Sequence, residues 1–163
     1  LMGVVRMIQS IHKAVVQGLQ GALGIPIIRA NQTSPAPEYP YGAYTITILG
    51  SANNGTWGQY DDGKDRKAVE QTWSLTFRSD KHDESYNFAC LAREWLDHKG
   101  AQKLADSGVS VGQCTAITNR DNILTTEYEY VYGFDVVFRL FDEADSTLTE
   151  TGYIETATPK REV

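Results

Sequence analysis

One stretch, Thr125 to Glu143, reads TTEYEYVYGFDVVFRLFDE, and its alternation limits what the chain can become. Even positions carry Tyr128, Tyr130, Tyr132, Phe134, Val136, Phe138 and Leu140. Odd positions carry Glu127, Glu129, Val131, Gly133, Asp135, Val137 and Arg139. Successive side chains of a strand point to opposite faces, so one face is unbroken apolar and aromatic and the other is mixed. At about 3.3 Å per residue, this strand runs far past the common five or six residues. Something must cover the aromatic face.

Two helices are available as cover. Val4, Ile8, Ile11, Val15 and Leu19 recur at three-and-four spacing, one stripe of a helix that Gly24 and Pro26 end. Phe88, Leu91, Ala92, Trp95 and Leu96 form the predicted buried stripe of a second helix. Asp80 or Asp83 is its expected cap, with Glu84 in the first turn where the helix dipole favours negative charge. Gly100 is expected to interrupt it, Leu104 to add a turn and Gly108 to stop it.

Strand patterns fill the rest. Ile25 to Ile28 is a short candidate strand, and Asn31 to Gly42, with Pro35, Pro37 and Pro40, is loop by composition. Ala43 to Ser51 is rich in β-branched residues, and Val69 to Phe77 alternates cleanly, placing Trp73 and Phe77 on the aromatic face of the long strand. Between them Ser51 to Lys67 carries Asn-Asn-Gly and Asp-Asp-Gly and reads as a long hairpin tip. Val109 to Thr118 is a strand and Asn119 to Asn122 a turn. The expected fold is α+β, an antiparallel sheet covered on one face by two helices, over residues 1–145. Residues 146–163, polar and rich in Thr, are expected to be an extended or mobile tail. A helix of ten residues spans about 15 Å, so the long strand should project beyond its cover and need a neighbouring subunit there.

Chemistry is sparse. The net charge of −6 and absence of any basic run argue against a surface that grips nucleic acid through phosphates. No apolar run is long enough for a membrane helix, and the N-terminal apolar residues alternate with Arg6, Gln9, His12 and Lys13, unlike a signal peptide. His12, His82 and His98 sit apart from any Cys or carboxylate at ligand spacing, so no metal is expected. Tyr60 to Asp65 resembles half of a calcium loop but lacks its helices and closing Glu. Glu127 and Glu129 share a strand face and are expected to line the sheet's wet side. Cys90 and Cys114 read as small buried hydrophobes, which fits assembly in a reducing place. No nucleophile elbow, phosphate loop or dinucleotide fingerprint is present, so neither an enzyme nor a cofactor is expected.

A resemblance covers residues 3 to 142. The element order, the N-terminal helix followed by Pro26, and the phrase Pro40-Tyr41-Gly42-Ala43-Tyr44 resemble the tail terminator and neck proteins of tailed bacteriophages. So do the helix at Ala92-Arg93-Glu94-Trp95-Leu96 and the phrase Tyr130-Val131-Tyr132-Gly133-Phe134-Asp135-Val136. The resemblance implies a non-enzymatic virion protein at the head–tail junction, assembled in the host cytoplasm as a hexameric ring that caps the tail tube. Its implied partners are copies of itself, the tail tube protein, the head–tail connector or adaptor and, as a further candidate, a sheath protein. DNA would pass through the lumen without specific binding. Alternatives are a head-completion or connector protein of the same neck, or a small ligand-binding domain with a pocket at Tyr128, Tyr130 and Tyr132. Candidate interface residues are Tyr41, Trp57 and Tyr60, and in the tail Tyr153 and Ile154, whose apolar side chains stand among Thr and Glu.

Overall fold

The computed structural model describes residues 11–51, 57–123 and 128–145. Helix α1 opens with a π-helical stretch, His12–Val16, and continues as α-helix over Gln17–Leu23. Strands β1 (Ile27–Arg29), β2 (Tyr41–Ser51), β3 (Gly58–Gln59) and β4 (Lys64–Ser79) follow. Next come helices α2 (His82–Asp97) and α3 (Lys99–Asp106), then β5 (Ser110–Cys114), β6 (Thr118–Asn119), β7 (Asn122–Ile123) and β8 (Tyr128–Asp145). The sheet order is β1-β2-β4-β8-β5, with β3 on β4 and both β6 and β7 on β8. The strands pair antiparallel except β1, which lies parallel to β2. Loop Asn31 to Pro40 allows this, because it carries the chain back before β2 begins.

The long strand's aromatic face is the core. In register, Phe77 opposes Tyr132, Leu75 opposes Phe134, Trp73 opposes Val136 and Val69 opposes Leu140. Trp73, Phe77, Phe134, Val136 and Phe138 are fully buried or nearly so, each such side chain worth about 1.5–3 kcal/mol. Tyr44 stacks on Trp73 at 4.6 Å between centroids, and Phe138 meets Trp73 edge-on at 5.6 Å, the offset and T-shaped geometries that aromatic quadrupoles prefer. Ile11 at the cap of α1 and Val15 and Leu19 within it are buried against it; Val4 and Ile8 of the same predicted stripe lie outside the described residues.

Several expectations need correction. The stripe α2 buries is Ser85, Ala89, Ala92 and Leu96, and Leu91 points outward at 49 % exposure. Small residues win the inner face because the helix packs close to the sheet: the Ser85 hydroxyl donates to the Phe77 carbonyl at 2.7 Å. Phe88 and Trp95 flank that stripe, half-buried. Neither Asp80 nor Asp83 caps α2; Lys81 holds the cap position without a side-chain bond, while its N–H donates to Ser79 Oγ at 3.1 Å. Gly100 does not break the helix. The break is His98, and Gly100 lies buried inside α3 because a Cβ there would overlap the Trp95 indole. The strand expected over Val109 to Thr118 is divided: β5 ends at Cys114 after an irregularity between Val111 and Cys114, and pairing on β8 resumes at Thr118.

Candidate functional site

Among the described residues, β4 and β8 lose their outer neighbours beyond Glu70 opposite Ser51 and Arg139 opposite Ser110, but continue together to Lys64 opposite Asp145. Six residues of extended chain reach about 20 Å, so an arm leaves the core. β3 joins it, with Gly58 opposite Arg66, through a turn in which Gly63 takes φ 75°, a left-handed value that glycine tolerates. This is the turn expected from Asp61-Asp62-Gly63. Residues 52–56 of the expected hairpin tip lie outside the described residues.

Ion pairs tie the strands of the arm together. Arg66 bridges Asp62 at 2.5 Å and Glu143 at 3.1 Å, Lys64 reaches Glu143 at 3.4 Å, and Arg139 pairs with Glu70 at 2.9 Å. Arg66 holds the Glu143 carboxyl below its ordinary range, against the opposing effect of partial burial. The Arg66 guanidinium also lies 4.7 Å from the centroid of Tyr60. Trp57, Tyr60 and Phe141 are nonetheless exposed at 46 %, 47 % and 56 %. Among the described residues, the outer edge of β8 from Leu140 to Asp145 has no strand beside it.

The opposite end of the sheet is rich in tyrosine. His82 meets the Tyr132 hydroxyl at 2.9 Å and lies edge-on to both Tyr130 and Tyr132, while Tyr86 stands edge-on to Tyr132. Asp121 accepts bonds from the Val131 N–H at 2.7 Å, the Tyr128 hydroxyl at 2.8 Å and the Asn119 amide at 3.0 Å. Burial would raise the Asp121 carboxyl, but these donors outweigh it and hold it below the ordinary carboxylate range. Tyr128 and Tyr132 thus bond to protein groups, Tyr130 packs against the His82 and Tyr128 rings, and none of the three borders the cleft beside α2. The cleft of about 540 Å³ on the outer side of α2 is bounded instead by Lys81, His82, Asn87, Phe88 and Leu91.

On the helix-free face of this end, Glu129 corrects the expectation of a wet carboxylate. It is 4 % exposed, because the loop before β2 brings Tyr39 over it. The Tyr39 hydroxyl donates to Glu129 at 2.9 Å and Arg78 pairs with it at 3.1 Å. Glu127 lies outside the described residues, so no carboxylate pair is described there. Tyr41 is 6 % exposed and stacks on Tyr39, which is 38 % exposed. Trp57 and Tyr60 thus stand on the arm, Tyr41 lies at the other end, and Tyr153 and Ile154 lie outside the described residues.

Arg78, Arg120, Asp121 and Tyr39 were missed by sequence reasoning. Arg120 donates to Ser74 at 2.6 Å and pairs with Asp135 at 3.2 Å, contacts across 46 and 15 positions that no local pattern announces. Cys90 and Cys114 are free and half-buried. Burial, then nearby Asp97, pushes the Cys114 thiol up to about 12, which disfavours the thiolate. Among the described residues, no three His, Cys, Asp or Glu gather as metal ligands, and no helix is long and apolar enough to cross a membrane.

No curated protein matches the chain. A solved chain that carries only a bare identifier is 12 % identical, covering 86 % of this chain and 95 % of its own at a TM-score of 0.45. A chain of the virion of a native gene transfer agent particle is 15 % identical, covering 82 % and 94 % at a TM-score of 0.34. At these scores neither likeness carries an argument. The family model of phage neck terminator proteins matches residues 9–160. With that span of its 163 residues accounted for, the chain belongs to the phage neck terminator proteins, structural proteins of the bacteriophage virion.

Proposed function

We propose that this neck protein works as a subunit of a closed ring, six copies round, that caps the tail tube and joins the tail to the head connector. The arm carries the reading. Among the described residues, a ribbon about 20 Å long, with exposed Trp57, Tyr60 and Phe141 and an open β8 edge, has nothing of its own packed over it. A ring of identical subunits supplies such cover through a heterologous interface, one patch meeting a different patch of the next copy.

The partners on this reading are further copies, the tail tube protein, the head–tail connector or adaptor and, where the tail has one, a sheath protein. Assembly would take place in the host cytoplasm. Trp57 and Tyr60 are interface residues, and Tyr41 acts through the Tyr39 ring stacked on it. Tyr153 and Ile154 anchor the segment after Asp145 on the adjoining ring. Passage of DNA without gripping is supported by Arg66, Arg78, Arg120 and Arg139, each ion-paired to a carboxylate and so not free for phosphates. No step of this function is chemical.

Tails assembled without this protein, then mixed with it and with filled heads, test the reading under the electron microscope. Capped tubes that join heads are expected. Tubes that stay uncapped, with heads that join at the same rate without the protein, would refute it.

A further inference from the structure

The ring reading requires two different patches to meet, and charge singles out a pair. Between α1 and α3 lies a cleft of about 430 Å³ lined by Lys13, Ala14, Gln17, Gly18, Lys103 and Ser107. Among the described residues its lining includes two lysines and no Asp or Glu. Among the described residues neither lysine makes an ion pair, in contrast with the sheet's paired arginines. Two lysines lining one cleft, neither held by an ion pair among the described residues, favour an anionic occupant.

The arm tip has the opposite surplus. Asp61 stands exposed at its turn without an ion pair among the described residues, whereas neighbouring Asp62 is held by Arg66. Farther along the arm, Asp65 and Asp142 each keep a buried oxygen without a hydrogen-bond partner. Exposed Trp57 and Tyr60 precede Asp61 in the tip and add apolar area of the kind that anchors interface centres. The arm is a continuation of core strands and leads away from the core, so a copy's tip does not reach its own cleft.

We infer that the arm tip of one copy, Trp57 to Asp62, docks in the Lys13–Lys103 cleft of the next copy, with Asp61 facing the two lysines. This rests on the ring reading and names its contact. The contact is heterologous, so it repeats round a ring, and it leaves the tyrosine-rich end free for the adjoining ring of the neck.

Charge reversal tests it on the full chain, by mass distribution across a concentration series, or on assembled necks if the chain associates only there. Lys13→Glu with Lys103→Glu should raise the dissociation constant at least about tenfold, since like charges at an interface repel strongly. Asp61→Lys alone should do the same. Asp61→Lys combined with Lys13→Glu and Lys103→Glu should return association to within about threefold of the starting protein, because the pairing is restored in reverse. Unchanged melting temperatures show that the variants fold. If the starting protein assembles and the reversals change nothing, or if they weaken only DNA retention, the docking is wrong and the ring stands. If the starting protein is monomeric alone and in necks, the ring reading falls and the docking with it.

Discussion

Tyr39 and Glu129 lie 90 positions apart in sequence and meet at 2.9 Å. Arg78 takes the other oxygen of the same carboxylate at 3.1 Å, so loop, β4 and β8 are tied at one point. Removing the carboxylate with Glu129→Ala strands the Arg78 charge and the Tyr39 hydroxyl. Breaking a buried pair costs about 3–5 kcal/mol. Arg78 keeps 28 % of its side-chain exposure, which lowers the expected loss to about 2 kcal/mol. Urea unfolding of the two proteins measures it.

The same contact predicts an alkaline transition. Burial, then the bond to Glu129, pushes the Tyr39 hydroxyl from 10.0 up to about 12. The folded value is raised, so its contribution is fully present below pH 10.0 and is lost as pH rises toward about 12. Melting temperatures across that window should fall more steeply for the native protein than for Tyr39→Phe, which has no proton to lose. Parallel curves would show that the hydroxyl contributes nothing.

Trp95 is clamped by two glycines, Gly18 of α1 and Gly100 of α3, where an added methyl would overlap the indole. Gly100→Ala gains about 1 kcal/mol of helix propensity. It loses about 1–3 kcal/mol to overpacking, and Gly18 on α1 leaves the ring nowhere to move. A net loss of about 1 kcal/mol is expected. Gly21→Ala is the control: it faces open space in α1, so it should stabilise by up to about 1 kcal/mol. Thermal melts of both variants decide between propensity and packing.

On the reading above, the arm aromatics and the segment after Asp145 matter for assembly and not for folding. Trp57→Ala with Tyr60→Ala should shift the melting temperature little and lower virion yield. A chain ending at Asp145 should melt like the full chain and attach more weakly to the adjoining ring. A large drop in either melting temperature would place those residues in the fold.

How much of this was legible follows from range. Trp73, Phe77 and Phe134 to Leu140 could be read from alternation alone, because strand periodicity is local and burial of one face follows from it. Leu91 was misplaced since both Leu91 and Ala89 fit a helical stripe; only the closeness of α2 to the sheet selects the small residue. Glu129 was misread for the opposite reason: its strand face is wet by pattern, and only the distant loop carrying Tyr39 dries it. Gly100 looked like a helix stop because its partner, Trp95, is a matter of packing and not of propensity. The arm was legible in part, through its turn signal and the excess length of its strand. Its three cross-strand ion pairs, across 69 to 79 positions, were not.

The mass of the assembled protein tests the central claim most directly. Native mass spectrometry of the full chain, alone and with its neck partners, should show a closed species of six 18.1 kDa subunits. A chain that stays a single subunit in both conditions would contradict the account.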